Sequence, residues 1–62
     1  MQQFTATVTI LGKDYKVTIF DFSGRWHAEG DCEGQFLKGR PAESYENAIK
    51  NWKQLAKMHL DS

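Results

Sequence analysis

Residues 27–34 read HAEGDCEG and gather one of the chain's two histidines, its single cysteine and three of its eight carboxylates. Two kinds of chemistry could use them. On an extended strand His27, Glu29 and Asp31 fall on one face at about 7 Å per step, and an imidazole with two carboxylates suits a divalent cation. Alternatively, Cys32 could act as a nucleophile with His27 as its base.

Neither arrangement is well built. Side chains in file along one strand do not converge on a point, and the second histidine, His59, lies far along the chain. Cys32 lies five positions on from His27 across what reads as a turn, and the flanking Asp31 and Glu33 oppose thiolate formation. The chain carries no glycine-rich phosphate loop, no nucleophile elbow and no paired-cysteine metal motif. With 62 residues it also has little room for a closed catalytic pocket. The expectation is a protein that is not an enzyme and uses no metal or cofactor. HAEGDCEG then reads as the end of a strand and a tight acidic turn, with Gly30 closing the strand and Gly34 relieving the backbone.

The elements that position these residues follow from periodicity. In residues 4–10, FTATVTI, Phe4, Ala6, Val8 and Ile10 alternate with three threonines, as in a strand buried on one face. Residues 11–14, LGKD, separate it from a second alternating run, with Tyr15, Val17 and Ile19 against Lys16 and Thr18, which makes a hairpin. Phe20 and Phe22 then fall on the face of Lys16 and Thr18 unless a bulge re-aims them. After the turn signal Ser23-Gly24, residues 25–29 read as a third strand with Trp26 and Ala28 inward. Gln35-Phe36-Leu37 is either a stub of a fourth strand or a continuation of the third.

Gly39-Arg40-Pro41 breaks the pattern, and Pro41 suits the start of a helix. From Ala42 to about Leu60 the apolar residues recur at three and four, with Lys50, Lys53 and Lys57 on another face. Glu43 and Glu46 near the start suit the helix dipole, and Glu46 with Lys50 forms an i,i+4 pair. The expected architecture is α+β: a three-stranded antiparallel sheet, with a possible short fourth strand, followed by one C-terminal helix packed on one face (βββα). Residues 1–62 make one small domain. Its expected core is Phe4, Val8 and Ile10 from the first strand, Tyr15, Val17 and Ile19 from the second, Trp26 and Leu37, and Ile49, Trp52 and Leu55 from the helix.

Eight basic residues balance eight acidic ones, so no overall field gathers polyanions around the chain. A lone cysteine forms no internal disulfide, no signal-peptide pattern is present, and no apolar run approaches the roughly 20 residues of a membrane span. A cytoplasmic protein is expected.

One helix covers one face of a sheet, so the other face is left for solvent or a partner. Phe20, Phe22, Thr7, Lys16, Arg25 and His27 are the candidate partner-binding residues there. An edge strand could also add a strand from another chain, including a second copy. Two family resemblances bear on the partner. GRWHAEG followed by LKGRPAESYENA resembles the plant ethylene-response-factor DNA-binding domain, which implies readout of DNA by the sheet. That family's sheet carries several arginines, whereas this face offers Lys16, Arg25 and His27 beside Glu29. The Trp-x-Ala-Glu strand, Gly39 and the helix AESYENAIKNW, within residues 25 to about 57, resemble the HicB-like antitoxin family. That resemblance implies a small, often dimeric fold that acts by occupying another protein. Pro41 stands where that family places a capping threonine, and its Pro-Asp-Leu-Pro-Gly loop is missing. The expectation is a protein-binding module, antitoxin-like or a phage-type inhibitor, with a DNA-binding module as the alternative.

Overall fold

The computed structural model describes residues 2–61. Strands β1 (Gln3–Ile10), β2 (Lys13–Phe22), β3 (Arg25–Cys32) and β4 (Gln35–Lys38) form an antiparallel meander in the order β1-β2-β3-β4. Helix α1 (Tyr45–Asp61) packs on one face of it, chiefly over β3. The α+β expectation holds, and the piece around Leu37 is a fourth strand in its own right.

Each hairpin closes with two residues, and both have positive φ: Leu11 and Gly12 at 52° and 78°, Ser23 and Gly24 at 54° and 75°, Glu33 and Gly34 at 51° and 88°. Type I′ turns require this, and their hand matches the twist of the flanking strands. Ser23-Gly24 turns where the sequence places it, whereas the turns within residues 11–14 and 30–34 are shorter than the sequence suggests. Lys13 and Asp14 belong to β2, opposite Ile10 and Thr9, and the Thr9 hydroxyl donates to Asp14 Oδ1 at 2.6 Å.

Leu11 pays a conformational penalty, because its Cβ is crowded in the left-handed region by about 1–2 kcal/mol. Its side chain is almost fully exposed and gains little in return. Leu11→Asn installs the residue that type I′ turns prefer, and a thermal melt should show stabilisation of about 1 kcal/mol, some 4–8 °C in a domain of this size.

The expectation that Gly30 ends the third strand is corrected. β3 runs on to Cys32, and only Glu33-Gly34 turns. Gly30 lies inside the strand, opposite Leu37 and beneath Trp52.

The helix also starts later than Ala42. Gly39 donates to the Ala28 carbonyl at 2.8 Å, and Ala42 exchanges two backbone hydrogen bonds with Trp26 at 2.8 and 2.9 Å. Arg40 and Pro41 thus stand against His27 alone, a bulge that adds one residue to this side of the ladder. It turns Ala42 into the core and releases the chain toward α1. Pro41 sits in the bulge and Glu43 ahead of the helix, while Ser44 caps it, its Oγ accepting from the Asn47 amide at 3.2 Å.

The core is built on a size match. Beyond Trp26 at its start, the helix face of β3 presents only small groups, Ala28, Gly30 and Cys32, which leave a trough. From α1, Ala48, Trp52 and Ala56 recur every four residues, so one large ring between two methyl groups fills it. Cys32 and Ala42 are buried although neither was an expected core residue. Conversely, Phe4 is 41% exposed, and Trp26, Ile49 and Leu55 are half-buried at the margin. Phe4, Trp26 and Tyr45 close that margin as a three-ring cluster with centroids 5.6–6.1 Å apart. No helix among the described residues is long and apolar enough to cross a membrane.

Candidate functional site

The pleat assigns every candidate residue to the sheet face away from α1. Pairing of β2 with β3 runs regularly from Thr18↔Glu29 to Phe22↔Arg25. No bulge intervenes in β2, so Phe20 and Phe22 stay on the face of Lys16 and Thr18. Neither ring wraps around to the helix. Phe20 lies opposite His27 and stacks on it, with centroids 5.1 Å apart and planes 10° from parallel. Phe22 approaches the same imidazole obliquely at 6.4 Å. The result is a continuous three-ring surface, with Arg25 opposite Phe22 at its rim and Phe22 58% exposed at its outer end.

The six candidates form two groups. Phe20, Phe22, Arg25 and His27 come together at the end of the sheet near the Ser23-Gly24 turn. Thr7 and Lys16 face one another across β1 and β2, four residues further along β2 from Phe20, or about 13 Å. Between them a polar row, Thr5, Thr18, Glu29 and Lys38, crosses all four strands. Sequence reasoning missed Phe36, which is 55% exposed on this same face opposite Asp31. Its orientation follows from the turn at Glu33-Gly34, so locating that turn would have found it.

The face is electrically balanced. Lys16, Arg25 and Lys38 are set among Asp14, Glu29 and Asp31, and Lys38 lies directly opposite Glu29. His27, Glu29 and Asp31 are in file on this face, and among the described residues no three histidine, cysteine or acidic groups gather as a metal site.

A second polar cluster occupies the other end of the molecule. Glu33 Oε1 accepts hydrogen bonds from the Tyr15 hydroxyl, at 2.8 Å, and from the Lys13 ammonium. Lys13 first, then Tyr15, holds the Glu33 carboxyl below its usual range. The same bond, helped by burial, pushes the Tyr15 phenol up to about 12. Cys32 lies beside this network, wholly buried. Burial, and after it the charges of Glu33 and Asp31, raises its thiol, so at neutral pH it is protonated. This cluster ties the Glu33-Gly34 turn to β2 and presents no activated nucleophile. Two shallow grooves flank α1, one against β4 and residues 39–41, the other against the end of β1.

No family model, curated protein or solved structure matches the chain.

Proposed function

We propose that this domain is a non-catalytic protein-binding module that occupies a partner protein through its open sheet face. The observation that carries this reading is the Phe20–His27–Phe22 surface. Aromatic rings of this size bury large areas on contact and are enriched at protein interfaces, and here nothing from the domain's own helix covers them. Threonines and paired opposite charges around the rings supply the polar rim of such a contact. Cys32, buried and with its thiol raised, is not an activated nucleophile, which supports a non-enzymatic role, and the HicB-like resemblance of residues 25–57 supports an antitoxin-like or phage-type inhibitor. The lone reduced cysteine suits a cytoplasmic setting.

Binding to DNA through the same face is the weaker reading. Three cations among three anions give the face no net charge to exchange for condensed counterions.

Affinity capture from an extract of the source cell, with and without nuclease, tests both. The wild-type chain should retain one stoichiometric protein that survives nuclease. Phe22→Glu should lose it by about 2 kcal/mol or more, the size of a hot-spot truncation, while its circular dichroism and melting temperature stay near wild type. Recovery of nuclease-sensitive material by the wild type, lost with Arg25→Ala and Lys16→Ala, would replace the protein reading with the nucleic-acid one.

A further inference from the structure

The two edges of the sheet are finished differently. On the β4 side the exposed strand is only Gln35–Lys38, ends on a lysine, and runs into a bulge that contains Pro41. Short length, lysine, bulge and proline are the devices that keep an edge from pairing with another chain. β1 has none of them. Its eight residues, QFTATVTI, hold no charge, proline or glycine and are rich in β-branched residues, and among the described residues it pairs with β2 alone.

We propose that β1 is a self-association edge, which pairs antiparallel with β1 of a second copy about a two-fold axis at Thr7 to make a continuous eight-stranded sheet. The pattern of β1 selects a second copy as the occupant. Centred on Thr7, an antiparallel pair sets Phe4 opposite Ile10, Thr5 opposite Thr9 and Ala6 opposite Val8. Apolar residues then meet apolar ones, threonines meet threonines, and both helices lie on the same side. A slip of one residue would put every side chain on the wrong face. A slip of two toward Gln3 still pairs seven residues of β1 but sets Phe4 opposite Val8, away from Ile10.

The helix face carries an independent sign of the same partner. Phe4 is 41% exposed, more than its alternation with Ala6, Val8 and Ile10 leads one to expect. At the opposite end of β1, beside Ile10, an open groove of about 320 Å³ runs between the strand and α1, floored by Ile10 and Leu60 and flanked by Lys53 and Lys57. In the Thr7-centred register the Phe4 ring of the second copy arrives next to Ile10, at the mouth of this groove, and the symmetry fills both grooves at once. The interface is distinct from the aromatic patch near Ser23-Gly24, which it leaves uncovered and presents twice on one extended face.

Thr7 offers the sharpest test, because at the axis it meets its own copy, with Cβ atoms about 5 Å apart. Light scattering and sedimentation of the full chain should give twice the 7.1 kDa mass of one chain. Thr7→Glu and Thr7→Lys each set like charges face to face and should each raise the dissociation constant by about fivefold or more. Mixed in equal amounts the two variants should associate again, as unlike charges meet. Circular dichroism of each variant alone establishes that it is folded; Thr7→Glu gains Lys16 as a neighbour on β2 and should fold as well as wild type. Phe22→Glu should leave the mass unchanged. The proposal is overturned by a wild-type chain of single mass at every concentration, by a dimer that both Thr7 variants leave intact, by failure of the mixed variants to reassociate, or by a dimer that Phe22→Glu dissociates.

Discussion

Trp52→Ala is expected to leave the chain largely unfolded at room temperature. Trp52 is wholly buried and is the largest residue in that state, and truncating a buried tryptophan costs about 3–5 kcal/mol. At the usual 0.05–0.15 kcal/mol per residue a domain of this length has about 3–9 kcal/mol in all. The surroundings cannot collapse into the space, because the trough wall on β3 is already made of Ala28, Gly30 and Cys32, and the neighbouring helix positions are Ala48 and Ala56. Tyr15, whose ring centroid lies 6.2 Å from that of the indole, is tethered through its hydroxyl to Glu33 and does not swing in freely. The indole also donates its Nε1 proton to the Leu37 carbonyl at 3.2 Å, which fastens α1 to β4. Urea titration followed by far-UV circular dichroism should find Trp52→Ala with little or no native baseline. Trp52→Phe should remain folded, weakened by the lost hydrogen bond and a smaller ring. A native-like baseline in Trp52→Ala would mean that the trough closes without its ring.

The same packing shows which parts of the fold could be read from the chain. β1, β2 and α1 are legible because burial on one side imprints a period on the sequence: Val8 and Ile10, Val17 and Ile19, Ala48, Trp52 and Ala56 all lie where that period puts them. The faces of Phe20, Phe22 and His27 are legible for the same reason, since the ladder continues unbroken past Thr18. Three features leave no such imprint. Leu11-Gly12, Ser23-Gly24 and Glu33-Gly34 make similar turns, of which Ser23-Gly24 alone is placed by the sequence; none has the asparagine or aspartate that ordinarily announces one, and the two-residue length and the strand twist impose the geometry on whatever residue stands there. The bulge at Arg40-Pro41 depends on Ala42 finding the Trp26 backbone, a contact between segments far apart in sequence. Phe36 changes face with the exact place of the preceding turn, so its membership of the open face is a tertiary result.

A division of labour follows from the same geometry. Trp52 and the buried residues around it hold α1 to the sheet, and the small residues of β3 let a single helix do so. The aromatic rings of the open face take no part in that work. Phe22→Glu and Trp52→Ala therefore probe different properties, partner affinity in the first and folding in the second.

Gly30 carries the second large effect. Its backbone is not in the left-handed region, so conformational freedom is not why glycine stands here; space is. A Cβ at this position would lie 2.7 Å from the Lys16 carbonyl oxygen, 3.3 Å from Val17 Cα and 3.6 Å from the Trp52 ring. The two nearest atoms are backbone of β2 and cannot rotate away, so strand and strand must separate under the helix. Overpacking of this kind costs about 1–3 kcal/mol, and Gly30→Ala should fall at the upper end, lowering the melting temperature by about 10–20 °C. Combining it with Trp52→Phe separates the two sources of crowding. If the β2 backbone is the obstacle, the smaller ring gives no relief and the double variant melts below either single one. If the double variant melts above Gly30→Ala alone, the obstacle is the indole, and the close approach of β2 to β3 is softer than 2.7 Å implies.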